Sequence, residues 1–221
     1  MTPKPLKVDL HIHTNHSRDS RASPESMVNR ALELGFDAIA VTDHGTVSGS
    51  LEAERLAGGT GLLVIPGQEI LTSEGELIAL GLRKTLASGR PAPETARQAR
   101  QAGGFVITPH PFDLMRKGLG NAITPCLKHI DAIEVFNART IFRRFNERAL
   151  SFAREHGLPG VVGSDSHFPE EMGGVYMLVS APRETRAILD AIGSGRAELF
   201  TSSQAVKPHI KRGLMKIRTY F

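Results

Sequence analysis

One cysteine, no tryptophan and two tyrosines in 221 residues exclude several classes at the outset. A lone Cys126 cannot form an intramolecular disulfide, so the fold must hold through its core. A chain of this length can do so, burying about 70% of the surface that its unfolded form exposes. No apolar run approaches the roughly 18 residues of a membrane span. The start, MTPKPLKVDL, lacks the apolar centre of a secretory leader. These absences lead us to expect a soluble, cytoplasmic protein without a membrane partner.

Acidic residues are missing from one region. None follows Glu198, where Lys207, Lys211, Arg212, Lys216 and Arg218 fall, and without these five the chain has 22 basic against 23 acidic residues. The formal charge of +4 therefore belongs to the tail, which disfavours a broad nucleic-acid-binding face on the body. Ile210, Leu214, Ile217 and Phe221 recur there at helical spacing and predict a short amphipathic helix, despite Gly213. We expect one domain over residues 1–200, with a basic tail, 201–221, packed as a helix of that domain or serving as an anion-collecting arm.

What is present is a regular alternation. LKVDLHI reads as a strand, followed by a helix in SPESMVNRALELG, where Ser23 can cap, Pro24 suits the first turn and Met27, Val28, Ala31 and Leu32 form an apolar face. Strands follow at FDAIAVTD, LLVIPGQEI, ELIALGL, FVITPH, DAIEVFN, PGVVGSDSH and VYMLVS. Helices are expected at PETARQARQAGG, near residues 140 to 156, and from about Arg183 to Ile192. Nearly continuous apolar strands alternating with helices predict a parallel sheet covered by helices, as a barrel or an open sheet.

The strands end in residues of one chemical kind. His11 and His13 close the first, Asp43 and His44 the second, Glu69 the third; His110, then Glu134 with Asn137, then Asp165 with His167 close later ones. In a parallel barrel all these ends meet on one face. In HIH the two imidazoles are two residues apart on a strand and point to the same side. Alone an HxH is a weak signal, but five such clusters beside Gly, Pro or Thr at tight turns predict a metal centre. His129, His156 and His209 lack this context, and His16 is set aside as a bystander.

DLHIHTNHSRDS, AIAVTDHG, PGQEI, TPHP and GSDSH, in that order over about residues 6 to 170, closely resemble the PHP domain of the polymerase and histidinol phosphatase superfamily. The resemblance implies a distorted seven-stranded (β/α) barrel, two or three divalent ions (zinc, manganese or iron) and hydrolysis of phosphate esters. Carried over by position, it implies that His11, His13, Glu69 and Asp165 hold one ion. Glu69 would bridge to a second ion with His110, while Asp19, His44 and His167 would hold a third. One departure stands out: where the family commonly has a further histidine, this chain has none between His44 and His110, and Glu76 is the nearest competent substitute.

Ions this close suit phosphoryl transfer, so we expect attack by a metal-bridging hydroxide oriented by Asp165, with His167 and Arg18 as catalytic neighbours. Phosphate would be gripped by Arg18, with Arg21, Asn137, Arg139 and Arg143 as further candidates. A small phosphomonoester or nucleotide is the expected substrate. Trimming of oligonucleotide ends is disfavoured by the scarcity of aromatics and the neutral body, and a metal-binding accessory module without catalysis by the completeness of the ligand set.

Overall fold

The structure, a computed structural model, describes residues 4–202 and the backbone of 214–217. It contains β1 (Leu6–Ile12), α1 (Pro24–Glu33), β2 (Ala38–Val41), α2 (Ser48–Leu56), β3 (Leu63–Leu71), β4 (Glu76–Leu80), α3 (Ala92–Gln101) and β5 (Phe105–Thr108). These are followed by β6 (Ala132–Asn137), α4 (Arg143–Glu155), β7 (Gly160–Gly163), β8 (Val175–Val179), α5 (Thr185–Gly193), β9 (Ala197–Ser202) and β10 (Leu214–Ile217). Among the described residues no helix is long and apolar enough to cross a membrane.

Local chemistry accounts for the elements that carry the site. Ser23 caps α1 by accepting the Ser26 N–H, Pro24 occupies the first turn, and Met27, Val28 and Ala31 are buried. Strand β2 is buried on both faces: Ala38 and Ala40 enter one apolar cluster while Ile39 and Val41 enter another, beneath α1 and α2. That period of two, with neither side left for water, requires layers on both sides of the sheet.

The sheet runs β10-β9-β8-β1-β2-β3-β4-β5-β6-β7, and β1 to β7 form a nearly closed barrel. Closure lies between the ends of β7 and β1, where Asp165 N–H donates to His11 O at 2.8 Å and His13 N–H to Ser166 O at 2.8 Å. The first half of β1 pairs instead with antiparallel β8, Leu6 opposite Val179. One strand thus serves the barrel and an antiparallel extension made of β8, β9 and β10.

Two expectations need correction. The sheet is not parallel throughout, because β4 is antiparallel to both β3 and β5. Residues 72–75 are too few for a crossover helix and make a hairpin, in which Thr72 N–H donates to Gly75 O at 2.7 Å. Reversal places the first residue of β4, Glu76, opposite Leu71 and at the same barrel end as Glu69. The second correction concerns the tail: Leu214–Ile217 form a strand paired antiparallel with β9, so pairing with an exposed edge overrides the helical spacing. Ile210, Phe221 and the rest of the predicted helix lie outside the described residues.

Gly163 ends β7 where no side chain fits: a Cβ there would lie 2.1 Å from Glu134 Oε1 and 2.7 Å from His11 Cβ. Gly163→Ala is expected to cost about 1–3 kcal/mol through overpacking, read as a lower urea midpoint. An unchanged midpoint would mean that Glu134 can yield without cost.

Candidate metal centre

Strand β1 delivers two imidazoles to the barrel mouth. His11 Nε2 and His13 Nε2 stand 3.0 Å apart and lie 3.3 and 3.2 Å from the same oxygen, Glu69 Oε2. Asp165 Oδ1 approaches both rings, at 3.7 and 3.4 Å. His110 Nε2 meets the other Glu69 oxygen at 3.3 Å, and Glu76 stands beyond it, 3.9 Å from His110 and 3.8 Å from His44. On the outer side, half-exposed Asp19 faces His167 Nε2 at 3.2 Å and His44 Nε2 at 3.4 Å. Backbone strain concentrates here, since His110 and Asp165 both adopt positive φ, 29° and 53°.

Other side chains hold these residues in place. Glu134 lies 2.9 Å from His11 Nδ1 through one oxygen and accepts the His110 N–H at 2.7 Å and Asn137 Nδ2 at 3.0 Å through the other. Asn137 also donates to Asp165 Oδ2 at 3.0 Å, and Arg116 donates to that same oxygen. On the other flank Asp43 accepts from Thr14 N–H at 2.6 Å and Ser17 Oγ at 3.0 Å, and Ser17 Oγ lies 3.2 Å from His13 Nδ1. Glu134 thus fixes directly the His11 nitrogen that faces away from the centre, and Asp43 fixes that of His13 through the Ser17 hydroxyl, the usual way a ligand imidazole is oriented.

The electrostatics follow from this packing. Burial opposes charge on His13, yet hydrogen bonds to Asp165 and Glu69 outweigh it and raise its pKa to about 9. His11 is likewise raised well above its ordinary value, burial being overcome by Asp165, Glu134 and Glu69. Against the opposing effect of burial, His11 and its neighbours hold the Glu69 and Asp165 carboxyls well below the usual range. Glu76 behaves differently: burial and the nearby Glu69 charge push it up to about 7.

Divalent cations fit this donor set. Two buried imidazole nitrogens that face one another repel when each carries a proton, whereas a cation can accept a lone pair from both. Glu69 Oε1 is buried with no hydrogen-bond partner. The ligand atoms of His11, His13 and Asp165 all lie within 4.8 Å of one another, as do those of His11, Glu69 and His110, of His13, His44 and His167, and of His44, Glu69 and Glu76. The centre thus unites His11, His13, Asp19, His44, Glu69, Glu76, His110, Asp165 and His167.

The arginines are distributed differently from expectation. Arg18 and Arg21 are exposed and do not line the cavity at the centre, Arg139 pairs with Glu171 at 3.5 Å, and Arg143 folds onto Glu147 at 2.7 Å. The cations at the cavity wall are instead Arg116 and Lys117, neither of which is expected there from the motifs. Their signal was two adjacent cations in a loop that returns at a glycine: a Cβ on Gly118 would lie 2.5 Å from His110 O. His16 is drawn aside by Glu52 at 2.8 Å.

A family model described as PHP-associated matches residues 143–197. An uncharacterized protein of Methanocaldococcus jannaschii is 36% identical over 143 residues, covering 60% of this chain and 82% of that protein. A 5'-3' exoribonuclease of Haemophilus influenzae is 40% identical over 83 residues, 36% of this chain and 30% of its own. Among solved structures, a two-domain protein of Bacteroides vulgatus containing a predicted PHP-like metal-dependent phosphoesterase superposes with a TM-score of 0.75. It is 21% identical, and the match covers 91% of this chain and 67% of that one.

Proton linkage gives a test of the charge network. Because the folded His13 pKa of about 9 exceeds its ordinary 6.5, its contribution is complete below 6.5 and is lost as pH rises through 9. Chelator-treated protein is expected to lose stability steadily between pH 7 and 9.5, measured by urea unfolding. A flat profile across that window would show that the carboxylates do not hold His13 protonated.

Proposed function

The chain belongs to the PHP-domain family, and from that premise we propose that it hydrolyses phosphate esters with divalent metal ions, acting on a small phosphomonoester or a nucleotide. The observation that carries this reading is the meeting of five histidines and four carboxylates at one barrel end, beside a cavity walled by Arg116 and Lys117. His11, His13, Glu69 and Asp165 are assigned to one ion. Glu69, His110 and Glu76 are assigned to a second, and Asp19, His44 and His167 to a third. Imidazole with carboxylate and no thiolate suits manganese, iron or zinc.

Bound ions would lower the pKa of water and neutralise charge on the transferred phosphoryl group. The chain's own groups have separable tasks. Asp165 turns Oδ1 toward His11 and His13, while Asn137 and Arg116 anchor Oδ2, so its orientation is fixed before substrate arrives. Burial lowers the Arg116 pKa but Asp165 and Glu69 raise it further, keeping a permanent cation to receive the non-bridging phosphate oxygens. Lys117 adds a second, exposed donor, and Glu134 holds His11 and His110 in place without facing the substrate.

Similarity to the exoribonuclease favours one alternative, action on oligonucleotide ends, but it spans only 36% of the chain. The body's near-neutral charge weighs against a long nucleic-acid track. The third reading, a metal-binding accessory module, is disfavoured by the set of side chains aimed at the cavity.

Phosphate release from sugar phosphates and nucleotides, and nucleotide release from short oligonucleotides, assayed alongside metal content, test the assignment. We expect more than one divalent ion per chain, with activity lost on chelation and restored by manganese, iron or zinc. Metal-loaded protein that hydrolyses none of them would favour the accessory module. Asp165→Asn and Arg116→Ala are each expected to lower kcat/KM by about 10²–10³, with Arg116→Lys recovering only part because it cannot bind bidentately. Full activity in Asp165→Asn would remove that residue from the mechanism.

A further inference from the structure

The cavity is walled mainly by charged side chains, but the loops around it are not. Six large hydrophobic side chains are exposed among the described residues, and five lie on the loops that follow β5, β6 and β7. They are Leu114 and Met115, exposed by 81% and 68%, then Ile141 and Phe142, then Phe168, exposed by 44%. Single apolar residues scattered over a surface need no explanation, whereas their concentration at one site does.

Polar contacts bind the three loops together. Arg116, next to Met115, donates to Asn137 Oδ1 at the end of β6, at 3.1 Å. Glu171 accepts the His167 N–H at 2.7 Å and pairs with Arg139 at 3.5 Å, joining the loop after β7 to the loop after β6. Met115 itself lines the cavity, and Phe168 directly follows His167, which also lines it. The apolar loops therefore reach the polar centre at Met115 and adjoin it at Phe168. Phe142 is braced, since the Arg144 guanidinium lies 5.2 Å from its ring centroid.

Size decides what the rim touches. The cavity holds about 200 Å³, below the volumes that enclose a whole organic ligand. The ions assigned to the centre and the phosphate group would share this space, so the rest of a phosphate ester lies against the loops. Methionine, leucine and phenylalanine offer apolar area and no partners for hydroxyl groups.

We propose that the rim of Leu114, Met115, Phe142 and Phe168 selects substrates whose leaving alcohol is apolar and flat, in preference to polyol phosphates. This rests on the phosphoesterase reading for its substrate but not for its binding test. The rim gains by being covered, and a sugar-like group placed there would give up water without replacement hydrogen bonds. The occupant is thus the aromatic or arylalkyl part of a phosphate ester, held at the mouth while its phosphate reaches Arg116 and Lys117.

The test compares 2-phenylethylphosphonate with 2,3-dihydroxypropylphosphonate, binding each to the protein as purified with its metals, by calorimetry. Their hydrolysable counterparts, 2-phenylethyl phosphate and glycerol 3-phosphate, are then assayed for turnover. We expect binding at least about tenfold tighter for the aromatic phosphonate, with the ratio falling toward one in Met115→Ser and Phe168→Ser. Equal affinities, or a ratio unchanged in both variants, would overturn the proposal. So would a change of oligomeric state in the variants, by light scattering, with the preference intact, since that assigns the rim to contact between copies. Preferential binding without turnover of either ester would support the rim and overturn the phosphoesterase reading.

Discussion

Two backbone hydrogen bonds, Asp165 N–H to His11 O and His13 N–H to Ser166 O, decide whether this chain has a centre at all. They join segments more than 150 residues apart and close the barrel where its first and seventh strands end. Without them His11 and His13 would stand on one sheet edge and Asp165 and His167 on the other. Glu134 reinforces the closure from within, since its carboxylate reaches His11 on β1, the His110 backbone after β5 and Asn137 on its own strand. The cost of assembling so many ionisable groups is met by pairing: imidazolium beside carboxylate in metal-free protein, and cation beside all of them when loaded.

The same closure explains the uneven charge. On the Glu69 and Asp165 side, carboxylates are ionised and the adjoining His11 and His13 rings hold protons. Toward the surface, burial lowers the affinity of His44 and His167 for a proton, with the charge on His13 adding to it. Protons and divalent ions compete for the inner rings far more than for the outer ones. Loading of the inner positions therefore releases protons, and affinity there rises with pH.

Much of this was legible in the sequence, for a definite reason. The candidate ligands sit at strand ends, and strand ends are fixed by hydrophobic periodicity and glycine-rich turns, so the sequence alone puts His11, His13, His44, Glu69, His110, Asp165 and His167 on one face. Loop residues were not legible in the same way. Proximity in sequence to candidate ligands points to Arg18, but Asp43 pins Thr14 and Ser17 inward, and Arg18 is left outside. Arg116 was missed because its position depends on how residues 110–119 fold back over His110, which no periodicity encodes. The tail failed through competition: helical spacing in Leu214–Ile217 yielded to strand pairing with β9.

The reversed strand β4 makes chain register a chemical variable. In a parallel barrel each ligand arrives by its own crossover, and an error in one loop leaves the other ligands where they were. Glu69 and Glu76 instead share a single hairpin whose turn spans residues 72–75. Because side chains alternate across a strand, a slip of one residue would turn Glu76 away from His110 and bring Gly75 or Leu77 to the cavity. Turn length in that hairpin sets how many carboxylates face the centre, so an insertion within residues 72–75, none of which faces it, would change the donor set.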